Sequence, residues 1–303
     1  MIAFQKIRAQ NTPALRAHLE KHPRESCEYS FVNLSIWGRQ EMAFVGDFLV
    51  LFSQFDRKSL YPFPLGSGDV KPVLDALIAD ARHRGLLFRL GCMTKENCAL
   101  LESLNPGKFQ FHEDRDGFDY VYAISDLATL KGKRYQSKRN FVNRFWANHP
   151  NAQIYPLDGK WLEKTKKMLD IWFSKREQAD PGADFQLEKR ALERAFRRFS
   201  ELALVGMVLV ENEEVLAMTM GSFLKKDPFD IHFENALDGV EGAYAVINQA
   251  FAAHLQEKYP CLAYLNREDD MGIPGLRQAK LSYHPHHMAE KYWAKLWEDE
   301  DEI

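Results

Sequence analysis

The residues best suited to chemistry form a dense polar stretch at 266–280, directly after a short apolar run that predicts a strand. Polar side chains at the C-terminal end of a strand often line a site. Asp270 in this stretch, or Glu234 on a neighbouring predicted strand, has the chemistry of a general base. The charges also balance in sign, so a salt-bridge network that only holds the loop is the alternative. The charged and amide residues of the stretch are Asn266, Arg267, Glu268, Asp270, Arg277 and Lys280.

A tyrosine and three histidines follow at 283–287. Tyr283 is able to protonate a leaving group, and a packed core tyrosine is the alternative. Pro285 interrupts the histidines, so they do not form the i, i+4 pair that a helix uses to bind a metal, and no cysteine lies nearby in sequence. We therefore predict no metal site in this chain.

A basic run at 131–144 contains six cations and no acid. On a helix, several of these cations share one face, while Tyr135, Val142 and Phe145 form an apolar face. A cationic face of this kind is suited to the capture of phosphate groups, and a solvated helix face is the alternative. Within this stretch, we expect Lys138, Arg139 and Asn143 to contact a substrate.

Composition excludes several classes of protein. The 303 residues are 46% hydrophobic and 27% charged, which excludes a mostly disordered chain. A net charge of -3 excludes a globally basic nucleic-acid binder but not a local basic patch. The four cysteines form no C-x-x-C pair, no signal peptide is visible, and no apolar run is long enough to span a membrane, so we expect a cytoplasmic protein with reduced thiols. Five consecutive acids at 298–302 predict a solvated tail.

Predicted elements occur twice in the same order, at an offset of roughly 170 residues. In the first half a hairpin at 41–54 and an extended segment at 61–65 precede a helix at 69–84, a strand at 86–93 and a helix at 94–104. In the second half two strands at 204–224 and a third at 229–236 precede a helix at 242–258, a strand at 262–266 and a helix at 273–281. Helices at 125–148, 160–178 and 187–199 connect the halves. The pattern predicts two α/β domains, at 1–150 and 151–303.

Three segments, at 130–145, 234–251 and 264–294, resemble the bacterial family named after the C-terminal domain of phosphatidylglycerol lysyltransferases. The resemblance implies an α/β (α+β) fold of two tandem GNAT-like domains, each with a mixed central sheet flanked by helices, similar to the Fem-type aminoacyltransferases. Characterised relatives move an aminoacyl group from aminoacyl-tRNA to an amine or hydroxyl acceptor. The lysyltransferases also have a membrane-spanning N-terminal domain that we do not see here, which argues against a lipid acceptor.

The resemblance implies acyl transfer, and the energetic requirements of this reaction indicate which groups the site needs. A lysine-type amine with a pKa of about 10.4 loses roughly 4.6 kcal/mol in becoming a neutral nucleophile at pH 7. A general base contributes about 10²–10⁴-fold, an oxyanion donor about 3–4 kcal/mol, and substrate alignment about 7–11 kcal/mol. Positioning of the two substrates is therefore the largest contribution to the rate. The sequence contains no signature of a serine or cysteine nucleophile, so we expect direct transfer from donor to acceptor.

The loop at 238–244 corresponds to the stretch that binds acyl-CoA pyrophosphate in ordinary GNAT enzymes. Gly239 and Gly242 suit a tight turn before a helix N-terminus. Asp238 and Glu241 place negative charge where a pyrophosphate would lie, which argues against a CoA thioester as the donor. The alternative is a plain helix start in which Asp238 is the N-cap and Glu241 completes a capping box.

These observations define a set of expected site residues. We assign catalysis to Glu234, Asp270 and Tyr283, and cofactor contacts to Gly239 and Gly242. The expected substrate contacts are Lys138, Arg139, Asn143, Asn235, Tyr244, Asn248, Asn266, Arg267, Glu268, Arg277 and Lys280. The predicted activity is transfer of an aminoacyl or acyl group from aminoacyl-tRNA or acyl-CoA to a small-molecule, peptide or lipid-headgroup acceptor. Two alternatives are a non-catalytic module that binds RNA or an anionic metabolite, and a CoA-dependent N-acetyltransferase of a small amine.

Overall fold

The described residues form fourteen strands and ten α-helices, together with three short 3-10 helices. The structure is a computed structural model that describes residues 1–8, 10–55, 58–180, 185–224 and 227–297. The predicted acidic tail lies outside the described residues. In chain order the strands are β1 (Gln5–Lys6), β2 (Gln40–Val45), β3 (Phe48–Phe55), β4 (Lys58–Pro62), β5 (Arg89–Met93), β6 (Phe109–Glu113), β7 (Asp119–Ala123), β8 (Gln153–Pro156), β9 (Val205–Glu211), β10 (Glu214–Phe223), β11 (Phe229–Ala236), β12 (Tyr264–Asn266), β13 (His287–Ala289) and β14 (Tyr292–Leu296). The helices are α1 (Thr12–Lys21), α2 (Phe31–Ile36), α3 (Lys71–His83), α4 (Lys95–Leu104), α5 (Ile124–Thr129), α6 (Gln136–Asn148), α7 (Gly159–Ala179), α8 (Gln186–Arg197), α9 (Ala243–Lys258) and α10 (Pro274–Leu281).

The strands form two seven-stranded sheets, and each sheet belongs to one compact unit. The first unit contains Met1–Asp119, Asp269–Ile273 and Ala289–Ile303, and the second contains Tyr120–Glu268 and Pro274–Met288. The first sheet has the order β1-β2-β3-β4-β5-β14-β6. The second has the order β13-β7-β12-β11-β10-β9-β8. Both sheets are mixed, because β4 with β5 and β11 with β12 pair in parallel while the neighbouring pairs are antiparallel.

The first unit is built around the apolar stripe of α3. Val73, Leu74, Leu77 and Ala81 recur at helical spacing and are all buried in one core with residues of β3 and β5. Thr94 begins α4 with a capping box, in which its side chain accepts a hydrogen bond from the Asn97 N–H. The predicted helix at 94–104 is thereby confirmed, together with its N-cap.

The second unit is centred on β10 and α9. β10 is buried along almost its whole length, from Val215 to Ser222, because both of its neighbours pair with it and helices cover the sheet. Ile247, Phe251 and Leu255 of α9 form the apolar face that packs into this core. The predicted repeat of strand and helix order is confirmed, since β2-β3-β4-α3-β5-α4 and β9-β10-β11-α9-β12-α10 follow the same sequence of elements.

The two units divide the chain differently from the predicted division at residue 150. β7, from the first half of the chain, pairs with β12 in the second sheet. β14, at the end of the described chain, lies between β5 and β6 in the first sheet. Each half therefore contributes one strand to the sheet of the other half, and the basic helix α6 belongs to the second unit rather than to the first domain.

The predicted continuous helix at 125–148 is wrong. It is two helices, α5 and α6, separated by Leu130 and Gly132, which both adopt positive φ angles of 48° and 97°. Left-handed residues satisfy the carbonyls at the end of a helix and reverse the chain direction, and glycine adopts this conformation without strain. The segment at 150–156, predicted as a break, contains the edge strand β8. Within the described ranges, no helix is both long and apolar enough to cross a lipid bilayer.

Candidate functional site

A bulge in β11 determines which side chains of the second unit meet. Met220 pairs with Phe233 and Gly221 pairs with Ile231, so His232 is an extra residue in β11. A bulge of this kind changes which face of the sheet the following side chains occupy. Glu234, two residues later, lies directly opposite Thr219 of β10. The pairing therefore places the Glu234 side chain beside Thr219 on the same face of the sheet.

The pairing of β11 with β12 brings a second charge to the same place. The two strands pair in parallel at Phe229–Leu265 and Asp230–Asn266, and Arg267 follows directly after the last pair. Arg267 Nη2 donates to Glu234 Oε1 at 2.6 Å. Asn248 of α9 donates from Nδ2 to Glu234 Oε2 at 3.2 Å. Only 11% of the Glu234 side chain and 13% of the Arg267 side chain are exposed, so the pair is largely shielded from water.

Two tyrosines flank the Arg267 guanidinium. Its Cζ lies 5.6 Å from the centre of the Tyr122 ring and 5.1 Å from the centre of the Tyr283 ring. The Lys138 ammonium lies 4.0 Å from the centre of the same Tyr283 ring. Cations at these distances are attracted to aromatic faces. Burial raises the pKa of Tyr283 to about 12 against the opposing effect of Arg267, and burial together with the Arg267 charge lowers the pKa of Lys138.

Lys280, expected to contact substrate, binds the protein backbone instead. Its ammonium donates to the carbonyl oxygens of Arg267 and Glu268, the latter at 3.1 Å. The backbone carbonyl of Lys280 in turn accepts a hydrogen bond from the Tyr122 hydroxyl at 2.8 Å. These contacts fix the backbone on either side of Arg267. Lys280 therefore positions the guanidinium rather than presenting a free charge.

Several polar atoms around the pair have no hydrogen-bond partner among the described residues. They are Arg267 Nη1, Asn248 Oδ1 and Thr219 Oγ1. Asn235, the next residue of β11 after Glu234, also has an unpartnered buried Oδ1. Thr219, Asn235 and Asn248 are at most 4% exposed. Buried polar groups in proteins are nearly always hydrogen-bonded, so atoms of this kind mark a place that a polar ligand or water completes. We call Thr219, Glu234, Asn248 and Arg267 the polar cluster.

The polar cluster has the parts that acyl transfer requires. The Glu234 carboxylate accepts protons, and a guanidinium N–H and an amide face the same region. Arg267 Nη1 is a charged donor that can stabilise an oxyanion. Tyr283 contributes a hydroxyl that is protonated at neutral pH, and burial raises its pKa further, to about 12. Thr219 and Tyr122 were not singled out from the sequence, since each lies in a mainly apolar strand.

Asp270, expected to be catalytic, belongs to the first unit. It is fully buried, and its Oδ2 lies 3.4 Å from Arg115 Nη1. Its Oδ1 accepts the backbone N–H of Gly272 at 2.9 Å. These contacts fix the loop before α10, which is the salt-bridge alternative named above. Asn266 and Glu268 have a comparable local contact, because Asn266 Oδ1 accepts the Glu268 N–H at 2.7 Å. Arg277 lies half-buried on α10.

The basic run does not form one free cationic face. Arg139 donates to the carbonyl oxygens of Leu130 and Gly132, and thereby holds the turn between α5 and α6. Arg134 pairs with Asp126 at 2.6 Å, and Arg144 pairs with Glu241. Asn143, Lys131 and Lys133 are exposed. Of the expected contacts in this run, Lys138 is the one that the structure brings to the aromatic rings beside the polar cluster.

The glycine loop is shaped by packing. Gly242 is the N-cap of α9 with a φ of 87°, so the predicted capping box from Asp238 and Glu241 is wrong. A Cβ at Gly242 would lie 2.6 Å from the backbone oxygen of Phe141, so any residue larger than glycine would clash with α6. Gly239 also has a φ of 87° and open space around it. Tyr244, in the first turn of α9, is 40% exposed.

The histidines at 284–287 lie on the surface or near it. His286 Nδ1 and His287 Nδ1 are 2.9 Å apart, and His284 Nε2 is 3.2 Å from the Arg134 carbonyl oxygen. Tyr264 contacts the rings of His286 and His287. Tyr283 itself is 7% exposed and its backbone oxygen accepts the Tyr135 hydroxyl at 3.1 Å.

A second cluster of buried charges lies in the first unit. The Lys291 ammonium lies 2.6 Å from Asp119 Oδ1, 2.7 Å from Glu28 Oε1 and 3.7 Å from Cys27 Sγ. The Cys27 N–H donates to Asp119 Oδ2 at 2.8 Å. Burial alone would lower the pKa of Lys291, but Asp119, Cys27 and Glu28 outweigh it and hold this pKa well above its usual value. We call these four residues the lysine cluster.

Several solved structures are similar to this chain over nearly its whole length. A protein of unknown function from Bacteroides thetaiotaomicron is 38% identical, with 98% of this chain and 100% of that chain covered and a TM-score of 0.90. The L-PGS of Bacillus licheniformis has a TM-score of 0.67 at 16% identity, over 98% and 94% of the two chains. A tandem GNAT protein from the clavulanic acid biosynthesis pathway has a TM-score of 0.50 at 8% identity, over 99% and 100%. These similarities confirm the predicted fold of mixed sheets and GNAT-like halves.

Sequence comparison adds the family. An uncharacterised protein of Mycoplasmoides gallisepticum is 26% identical over 190 residues, which is 61% of this chain and 58% of that protein, so the match spans less than two thirds of this curated relative. The profile of the family described as phosphatidylglycerol lysyltransferase, C-terminal, matches residues 19–295, nearly the whole chain. The chain therefore belongs to the family of the phosphatidylglycerol lysyltransferase C-terminal domain.

Proposed function

We propose that this protein transfers an aminoacyl group from aminoacyl-tRNA to an amine or hydroxyl acceptor by direct attack. Membership of the family and the GNAT-like fold support an acyltransferase. The observation that carries the proposal is the polar cluster, in which Glu234 and Arg267 meet beside buried polar atoms that have no partner among the described residues.

Each residue of the proposed site has one task. Glu234 takes the proton that the acceptor amine or hydroxyl loses as it attacks the ester carbonyl. Arg267 donates from Nη1 to the carbonyl oxygen, which gains negative charge when the tetrahedral intermediate forms. The bond to the tRNA ribose oxygen then breaks, and Tyr283 gives this oxygen a proton. The proton held by Glu234 returns Tyr283 to its neutral form through solvent, so the protein ends unchanged.

The other members of the cluster orient these groups. Asn248 holds one oxygen of Glu234 while Arg267 holds the other, which fixes the plane of the carboxylate. Thr219 and the amide oxygen of Asn248 are free to bind the amino group or hydroxyl of a substrate. Alignment of two substrates supplies about 7–11 kcal/mol, more than proton transfer does, so these positioning contacts carry much of the expected rate.

The glycine loop favours aminoacyl-tRNA over acyl-CoA as the donor. Gly242 packs against the Phe141 backbone, and Glu241 places a carboxylate beside the start of α9, where a pyrophosphate would be repelled. Exposed Lys131 and Lys133 remain available to phosphates of a tRNA acceptor end. We propose a cytoplasmic setting, where aminoacyl-tRNA is made, and a small molecule, peptide or lipid headgroup as acceptor.

A transfer assay with a matched pair of variants tests the proposal. Purified protein is incubated with radiolabelled aminoacyl-tRNA or with acetyl-CoA, each with and without an acceptor such as lysine, a short peptide or phosphatidylglycerol vesicles. We expect acceptor-dependent release of free tRNA, slowed about 10²–10⁴-fold by Glu234→Gln. Glu241→Gln is the control, because it removes an exposed glutamate–arginine pair of the same chemical type.

The other outcomes distinguish the alternatives. Release of free thiol from acetyl-CoA, with tRNA untouched, would replace this proposal with CoA-dependent acetylation. A shift in melting temperature with RNA or an anionic metabolite, without any turnover, would identify a binding module. Equal rates for wild type and Glu234→Gln would remove Glu234 from the mechanism.

A further inference from the structure

A histidine between two carboxylates lies in the second unit, at the beginning of β11. His232 Nδ1 is 3.1 Å from Glu268 Oε1 and 3.5 Å from Asp230 Oδ2. The three ligand-type atoms all lie within 4.8 Å of one another. The side chains of His232 and Asp230 are fully buried, and that of Glu268 is 19% exposed. The proposed transfer does not use these three side chains.

The separations match those of ligands around one small ion. With bonds of about 2.1 Å, which zinc forms with imidazole nitrogen and carboxylate oxygen, 3.1 Å and 3.5 Å correspond to angles of about 95° and about 113° at the ion. Such angles lie in the range of a distorted tetrahedron, whose fourth position is left for water. An imidazole nitrogen and carboxylate oxygens are ligand types that divalent first-row cations accept.

The Nε2 atom of His232 has an oxygen neighbour, as the second ring nitrogen of a metal-binding histidine usually does. His232 Nε2 lies 2.8 Å from Ser222 Oγ on β10. A histidine that binds a metal usually donates its second ring N–H to an oxygen, which fixes the ring and directs the free lone pair at the metal. If Ser222 accepts this N–H, then the lone pair of Nδ1 faces the two carboxylates, an arrangement that a cation between them stabilises.

The lysine cluster shows why the first unit does not offer a similar site. Cys27, Glu28 and Asp119 also place ligand-type atoms within 4.8 Å of one another. The Lys291 ammonium already lies between the two carboxylates at 2.6 and 2.7 Å, and it fills the position of an ion.

We infer that Asp230, His232 and Glu268 bind a divalent first-row cation, with zinc as the first probe and manganese as the second. The ion would join β11 to the turn after β12, because Asp230 and His232 are on β11 and Glu268 follows Arg267. Glu268 has a φ of 55°, a conformation that needs support from its surroundings. The inference does not depend on acyl transfer.

Metal titration of the full chain tests this site. Protein is treated with a chelator, dialysed, and titrated with zinc chloride in a calorimeter, with bound metal counted by mass spectrometry. We expect about one ion per chain and a rise in melting temperature on loading. Glu268→Gln and His232→Gln should lose this binding, and Ser222→Ala should weaken it about 10–100-fold.

Two control variants exclude other zinc ligands. Cys27→Ala removes the thiol of the lysine cluster, and His286→Gln breaks the surface pair with His287. Both should bind zinc as wild type does. If His286→Gln or Cys27→Ala removes the bound ion while Glu268→Gln keeps it, the assignment is overturned.

Folding of the ligand variants is checked in chelator. Glu268→Gln should then melt at the same temperature as chelated wild type, so that only the response to metal differs. If neither zinc nor manganese binds or raises the melting temperature of wild type, His232 is a hydrogen-bonded core histidine and the proposed site does not exist.

Discussion

The two units each bury a cluster of charged side chains, and the clusters differ in how their polar atoms are used. In the lysine cluster the ammonium of Lys291 contacts Glu28, Asp119 and the thiol of Cys27. In the polar cluster Arg267 uses Nη2 for Glu234, while Nη1, the oxygen of Asn248 and the hydroxyl of Thr219 have no partner among the described residues. One cluster is complete within the protein, and the other has unused hydrogen-bonding capacity.

This difference separates a structural role from a functional one within two copies of the same element order. An internal ion pair whose atoms are all satisfied holds chain segments together and has nothing left to bind a ligand. Unpartnered buried groups cost stability in the free protein, and a substrate that satisfies them recovers this energy on binding. We therefore assign a structural role in the first unit to the lysine cluster, and substrate binding and catalysis to the polar cluster.

The largest effect on stability should come from the lysine cluster. Lys291→Met removes the cation and leaves two carboxylates buried without compensation, so the free energy of unfolding should fall by about 3–5 kcal/mol. Urea unfolding followed by circular dichroism measures this change. Lys95→Met is the matched control, since Lys95 pairs with Glu290 on an exposed surface, and its unfolding midpoint should stay close to that of wild type. Equal midpoints for the two variants would contradict a stabilising role for Lys291.

The largest effect on turnover should come from Arg267. Arg267→Lys keeps the charge but loses the second N–H of the planar guanidinium, so turnover should fall about 10²–10³-fold, as when an oxyanion donor is removed. Arg144→Lys, in the exposed pair with Glu241, should retain wild-type turnover. The acceptor-dependent release of tRNA provides the measurement. A similar loss in both variants would mean that the effect is not specific to the polar cluster.

Alkaline pH should reveal the buried state of Tyr283. Burial raises its pKa to about 12 from 10, so the neutral form is favoured in the folded protein. Its contribution to stability is present below pH 10 and is lost as the pH rises towards 12, because the unfolded chain deprotonates first. The loss amounts to about 2–3 kcal/mol at 1.36 kcal/mol per unit. Urea unfolding of Tyr283→Phe between pH 9 and pH 12 should lack this part of the decline, and an unchanged pH profile would contradict it.

The smallest effect should come from Thr219, where we expect the substitution to raise the stability of the free protein and to lower turnover. Thr219→Val replaces a buried hydroxyl that has no partner with a methyl group of the same size, so the free protein should become more stable by about 1 kcal/mol. Turnover should fall nevertheless, because the hydroxyl is one of the groups proposed to bind substrate. Thermal unfolding and the transfer assay together measure the two changes. A variant that is less stable and equally active would show that the hydroxyl serves the fold.

Much of the fold could be predicted from local sequence. Hydrophobic spacing predicted α3, α4, α9 and α10, and the alternation of strands and helices predicted the repeat. The exchange of β7 and β14 between the sheets was not predictable in this way. These are strands of five residues whose partners lie far away along the chain, and periodicity contains no information on pairing. The boundary at residue 150 followed from assuming that each half forms its own sheet.

The candidate site was predictable in part for a similar reason. Glu234 and Arg267 lie near the ends of predicted strands, Asn248 lies within a predicted helix, and the structure brings the three together. Asp270, three residues after Arg267, lies in the first unit because the chain crosses between units at 268–269. The lysine cluster was missed entirely. Its residues, at 27–28, 119 and 291, are far apart in the sequence, and only the fold makes them neighbours.

A crystal structure with a stable analogue of the donor would show directly whether the donor binds at the polar cluster. The suitable probe is an adenosine that carries a lysyl group through a 3′-amide, which binds like the aminoacyl end of tRNA but cannot transfer. We expect the analogue in the second unit, with its carbonyl oxygen about 3 Å from Arg267 Nη1 and its polar groups hydrogen-bonded to Asn248 and Thr219. An analogue bound away from these atoms, with ordered water satisfying Arg267, Asn248 and Thr219, would contradict the assignment of the polar cluster as the site of transfer.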